Sequence, residues 1–120
     1  MSKRQVSLLL EDILESIENI EKYCNGLTRE TFGDDRKTID AVVRNLEIIG
    51  EAANNIQKTY REQHTQIEWG QIIGLRHRII HSYFDVDVDI IWFIVQNDLG
   101  SLKTLVQKLL REERKGGDGI

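Results

Sequence analysis

The sequence contains no proline and a single cysteine, Cys24, in 120 residues. Helix interiors reject proline while loops collect it, so its absence predicts long helices joined by few connections. A lone cysteine cannot close a disulfide within the chain, and a reducing cytoplasm is the expected setting. There is no charged-then-apolar leader, and no apolar run approaches the ~18 residues that span a bilayer, so no membrane association is expected. Positive charge is scarce: 16 Lys and Arg stand against 20 Asp and Glu, for a net charge of −4. Sequence-independent affinity for nucleic acid comes from Lys and Arg neutralising phosphates, which argues against a general coat protein. A small basic site on an acidic surface remains compatible with this balance. No Gly-rich phosphate loop, Cys-x-x-Cys pair or Ser-centred nucleophile elbow occurs.

What is present is 40% hydrophobic and 30% charged residues, the balance of a folded globular domain rather than a disordered segment. The chain is expected to form one domain over residues 1–115, with a glycine-rich frayed tail at 116–120. Residues from about Lys3 to Cys24 read as an amphipathic helix, with Val6, Leu9, Leu10, Ile13, Ile17, Ile20 and Tyr23 on its apolar stripe. Asn25-Gly26 stops that helix, and Thr28 caps a short turn through Phe32. A second long helix is predicted from about Asp35 to Tyr60. Gly50-Glu-Ala-Ala53 has little side-chain bulk, and a helix-interior glycine costs about 1 kcal/mol relative to alanine, so another helix is expected to cross closely there. After a polar connection, a third helix is predicted over Trp69 to Ser82, then a fourth to about Arg114, capped by Asp85 or Asp87 and bent near Gly100. The expected fold is an all-α antiparallel bundle of four main helices plus a short extra turn.

One stretch carries most of the chemistry: Gly74-Leu-Arg-His-Arg-Ile-Ile-His-Ser-Tyr-Phe84. Between Trp69 and Phe84 no acidic residue occurs, and two of the three histidines, His77 and His81, lie within it. Arg76, His77, Arg78, His81 and Tyr83 are the candidates. On one straight helix Arg76 and His81 would stand about 140° apart, so a single copy makes a poor site and two copies around a two-fold axis a better one. Arginine plus histidine without a metal cage suits RNA cleavage. A neutral imidazole takes the proton of a ribose 2′-hydroxyl, and a guanidinium holds the scissile phosphate. The attacking oxygen belongs to the RNA, so the protein needs no nucleophile and no cofactor.

Arg76-x-x-x-x-His81-x-Tyr83 resembles the R-x-x-x-x-H-x-Y signature of the HEPN superfamily, in its HepT-like toxin branch. Asp40 to Ala53 resembles the second helix of that family. Trp69, Ile73-Gly-Leu-Arg76, Tyr83-Phe-Asp-Val-Asp87 and Ile91-Trp92 resemble its catalytic segment and the start of its last helix. The resemblance implies a HEPN-like, dimeric, metal-independent endoribonuclease, the toxin of a toxin–antitoxin pair. Its partner would be a minimal nucleotidyltransferase antitoxin. Carried over by position, Arg76 and His81 form the catalytic pair and Tyr83 is the tyrosine that the antitoxin adenylylates. Many relatives carry Asn after the arginine and Gly between the histidine and tyrosine, where this chain has His77 and Ser82; a proline common before the tryptophan is absent. His77, Arg78, Ser82 and Arg44 are further candidates for RNA or phosphate contact.

Plainer readings stand beside this one. Arg76 and His81 would serve a structural role if each merely paired with a carboxylate or helix end. His77 and His81, at i and i+4 on a helix, would form half of a metal site, although no third ligand is evident. Tyr83 would pack its ring on the last helix, and Arg44 would be ordinary surface. A non-catalytic module that docks a nucleotide or the transferase is the alternative function.

Overall fold

The first helix, α1 (Lys3–Cys24), rests on Val6, Leu10, Ile13, Ile17, Ile20 and Cys24, all buried and set in alternating steps of four and three. The computed structural model describes residues 3–82 and 85–118. Gly26 ends the first helix with a φ of +80°, the left-handed turn expected of Asn25-Gly26. Tyr23 departs from the expected stripe and is exposed, while the neighbouring Cys24 turns inward.

Helix α2 (Arg29–Gly33) begins with a reciprocal cap. Thr31 N–H donates to Thr28 Oγ1 at 3.1 Å, and Thr28 N–H donates to Thr31 Oγ1 at 2.8 Å. Its Phe32 is fully buried, with its ring centroid 5.1 Å from that of Trp92. Helix α3 (Arg36–Asn55) is capped by Asp35, whose Oδ1 accepts the Thr38 N–H at 3.0 Å. It buries Ile39, Val42, Leu46, Ile49 and Ala53 and packs chiefly on α1. Burying each such large aliphatic side chain contributes about 1.5–3 kcal/mol. Asn45 is buried among them, but its amide is used: Nδ2 donates to Ala41 O at 2.9 Å, and Oδ1 accepts from Asn19 Nδ2 at 3.3 Å.

The second long helix is shorter than expected. Ile56 takes an extended backbone, and a separate helix α4 (Lys58–Gln63) follows, with Arg61 Nε bonding Ile56 O at 3.0 Å. Asn54 and Asn55 are weak helix formers, and the arginine satisfies a carbonyl that the break leaves open. The third helix also divides, into α5 (Trp69–Ile73) and α6 (Leu75–Ile79), and then becomes extended. Strands β1 (Ile80–Ser82) and β2 (Asp85–Val86) pair antiparallel, Ile80 opposite Val86 and Ser82 opposite Asp85. The last helix breaks at Asp98 rather than bending at Gly100, giving α7 (Val88–Asn97) and α8 (Leu99–Asp118). Asn97 Nδ2 bonds Phe93 O at 3.0 Å, a side-chain competitor for a carbonyl that helps end the helix there.

Helix α8 runs antiparallel to α1: Lys103 Nζ bonds Glu21 at 2.8 Å and Arg114 bonds Glu11 at 3.0 Å. It continues to Asp118, past the expected end near Arg114. The fold is all-α apart from the two-strand ribbon. Among the described residues no helix is long and apolar enough to cross a membrane.

Candidate active site

The site begins at Trp69, whose indole N–H donates to His64 O at 2.9 Å and whose ring meets Tyr60 edge-on. From there α5 lies against α3 at Gly50. A Cβ on Gly50 would stand 3.1 Å from Ile72 O, so the close crossing expected from the small residues is present. Leu75 and Ile79 are buried and pin α6. Arg76 and His77 are therefore exposed, while Arg78 is half-buried on the other side.

Arg76 Nε lies 4.0 Å from Glu47 Oε2 on α3, with the guanidinium largely in solvent. Arg44 is exposed and stands three residues before Glu47, on the same face of that helix. His77 has no hydrogen bond or ion pair among the described residues. Arg78 lines a cleft of about 270 Å³ with Ile72, Leu75, Ile94 and Leu102, so it is turned away from Arg76. Residues two apart on a helix stand about 200° apart around its axis, which is why Arg76 and Arg78 part company.

His81 does not lie on the helix. Ile80 is extended, with φ −107° and ψ 115°, and His81 stands on β1. The 140° separation expected between Arg76 and His81 therefore does not apply, and neither does the argument for a dimer drawn from it. The i, i+4 helical spacing that would aim His77 and His81 at one metal ion is likewise absent. Among the described residues no three His, Cys, Asp or Glu side chains converge as a metal site. Ser82 ends β1, and Tyr83 lies outside the described residues.

The imidazole of His81 has a partner that the sequence did not signal. Its Nε2 is 3.0 Å from Asp87 Oδ2. The other oxygen of Asp87 accepts the Ile90 N–H at 3.0 Å, the N-cap bond of α7. The bond to His81 and then the Ile90 N–H hold the Asp87 carboxyl below its ordinary value of 3.8. The sequence identified Asp87 as a cap, one of two candidates with Asp85, but a cap uses one oxygen and leaves the second free. Glu47 also escaped notice, since nothing local ties it to Arg76.

Arg76 and His81, the residues that carry the resemblance to the HEPN superfamily, are thus both exposed, on adjoining short elements of an all-α domain. The family model described as Ribonuclease HepT-like matches residues 13–109, and the chain belongs to that family. It is 44% identical over 107 residues to a protein of Thermococcus cleftensis described as a probable ribonuclease HepT, covering 89% of this chain and 97% of that one. It is 38% identical over 105 residues to a putative RNase of Caldanaerobacter subterraneus, covering 88% and 94% of the two chains. It is also 35% identical over 117 residues to a putative RNase of Methanocaldococcus jannaschii, covering 94% and 97%. No solved structure matches the chain.

Proposed function

We propose that this chain is a metal-independent endoribonuclease in which His81 is the general base and Arg76 the phosphate clamp. The imidazole removes the 2′-hydroxyl proton, and the 2′-oxygen forms a bond to phosphorus as the P–O5′ bond breaks. The proton reaches the departing 5′-oxygen through solvent, so one bond forms, one breaks and one proton moves. The products are a 2′,3′-cyclic phosphate and a 5′-hydroxyl. The guanidinium stabilises charge on the phosphoryl oxygens as it builds. The observation that carries the reading is an exposed Arg76 and an exposed His81 on adjoining elements of a HepT-like chain.

In the same reading two copies pool their sites in a homodimer cleft, with His77, Arg44, Arg78 and Ser82 as further RNA contacts. The half-buried position of Arg78 beside a cleft on the far side of α6 makes it the weakest of these. A minimal nucleotidyltransferase antitoxin neutralises the toxin in the cytoplasm by adenylylating Tyr83, adding charge and bulk that exclude RNA.

The test is cleavage of cellular RNA by purified protein, with Arg76→Ala and His81→Ala beside it. Loss of a positioned general base costs about 10²- to 10⁴-fold in rate. Both variants should fold, since both side chains are exposed, and both should lose cleavage by that order, with EDTA leaving the parent unaffected. Parental cleavage by either variant removes that residue from the mechanism. Binding of RNA without cleavage by the parent would favour a non-catalytic docking module.

A further inference from the structure

Asp87 is tied into the fold at three points around the place where α6 gives way to the ribbon. Its backbone N–H donates to Ile79 O at 2.8 Å, its Oδ1 caps α7 through Ile90 N–H, and its Oδ2 faces His81 Nε2 at 3.0 Å. The carboxylate is the more sheltered of the pair, with 28% of its side chain exposed against 53% for His81. The fixed partner is thus the acid, and the imidazole is the group that it orients.

An ionised carboxylate has only acceptors, so the ring nitrogen facing it must carry the proton. In a neutral imidazole the other nitrogen is then bare. We propose that Asp87 is a positioning residue that holds His81 as its Nε2–H tautomer and thereby leaves Nδ1 as the base for the 2′-hydroxyl. This rests on the ribonuclease reading above and names which nitrogen acts. When Nδ1 takes the proton, the ring becomes a cation beside the carboxylate. Asp87 accepts no proton itself; it stabilises the imidazolium by charge. Arg76 and Asp87 then act on different partners: one on the phosphate, the other on the base.

Asparagine separates this role from capping. In Asp87→Asn the amide oxygen still accepts the Ile90 N–H, and the amide NH₂ then faces His81 Nε2 as a donor. The ring must take the opposite tautomer, Nδ1–H, with its base nitrogen spent on the asparagine. The experiment combines nitrogen-15 NMR of the histidines in the RNA-free protein, assigned with His81→Ala, with steady-state cleavage kinetics. The parent should show a neutral His81 protonated at Nε2, and Asp87→Asn a His81 protonated at Nδ1. With the melting temperature near the parent's, kcat should fall about 10²- to 10⁴-fold while KM changes little. In a His81→Ala background, Asp87→Asn should have no further effect on cleavage.

A parent ring protonated at Nδ1, or parental cleavage by a folded Asp87→Asn, overturns the proposal. If His81→Ala cleaves as the parent does, the ribonuclease role of His81 fails first. The NMR result then still decides whether Asp87 sets the tautomer.

Discussion

Arg76 faces Glu47 across the gap between α6 and α3, Nε to Oε2 at 4.0 Å, with 70% of the arginine side chain exposed. An exposed pair at that distance is worth about 0–1 kcal/mol, too little to lock the guanidinium. The carboxylate is instead a counter-charge that an incoming phosphate must displace. Glu47→Gln should therefore tighten binding of a 2′-deoxy, uncleavable RNA analogue by a few-fold at low salt, with the gain shrinking as salt rises. The melting temperature should stay near the parent's. In an Arg76→Ala background the same substitution should change affinity little. Fluorescence anisotropy titrations check both; weaker binding by Glu47→Gln would instead make Glu47 the residue that aims Arg76.

The reach between those two residues depends on Gly50, one turn further along α3. The carbonyl oxygens of Ile72 and Ile73 would lie 3.1 Å and 3.6 Å from a Cβ at this position, and both belong to backbone that cannot swing aside. Gly50→Leu should destabilise by about 1–3 kcal/mol or more, because α5 must move off α3. Gly50→Ala should cost less, since the gain of about 1 kcal/mol in helix propensity offsets part of the clash. Urea unfolding midpoints check the order parent, alanine, leucine. A leucine variant as stable as the parent would show that α5 yields freely.

The helices were legible in the sequence wherever a local signal fixed them. Val6 to Ile20 announced α1 by period alone, Asn25-Gly26 announced its end, Thr28 and Asp87 announced caps, and Gly50 announced a close crossing. The breaks were less legible, and the one at the site depends on a partner further along the chain. Ile79-Ile80 fits a helix stripe or a strand equally well over so short a run. Pairing of Ile80 with Val86 and the Asp87 N–H on Ile79 O decide for the strand. Of the site, Arg76 and His81 stood out by residue type, but their carboxylates did not. Glu47 meets Arg76 only through the α3–α6 packing, and Asp87 meets His81 only because β2 pairs back on β1.

Two helix caps give the fold an acid limit. The Thr38 hydroxyl and then the Thr38 N–H hold the Asp35 carboxyl below its ordinary value of 3.8; His81 and then the Ile90 N–H do the same for Asp87. A carboxyl depressed in the folded state stabilises fully above its unfolded value. That contribution declines as pH falls below about 3.8 and is gone beneath the folded value. Melting temperature should therefore drop as pH is lowered from 5 toward about 2, the range over which native carboxylates titrate. Asp35→Asn should flatten the drop while keeping the cap oxygen. An unchanged acid profile in that variant would show that the Asp35 charge contributes little.

Cys24 offers a direct measure of how tightly the end of α1 is held. The side chain is buried, 7% exposed, and burial raises its thiol from 9.0 to about 11. The thiolate is the nucleophile, so at pH 8 only about one thiol in a thousand would react even if reagent could reach it. Iodoacetamide should therefore leave the native protein unmodified at pH 8 and alkylate it completely in urea. Because the folded value is raised, its stabilising effect is whole below 9.0 and fades as pH climbs toward 11. Alkylation of the native chain should accelerate over that same interval. Rapid modification at pH 8 without denaturant would mean that α1 opens at Cys24 far more often than its burial against the core allows.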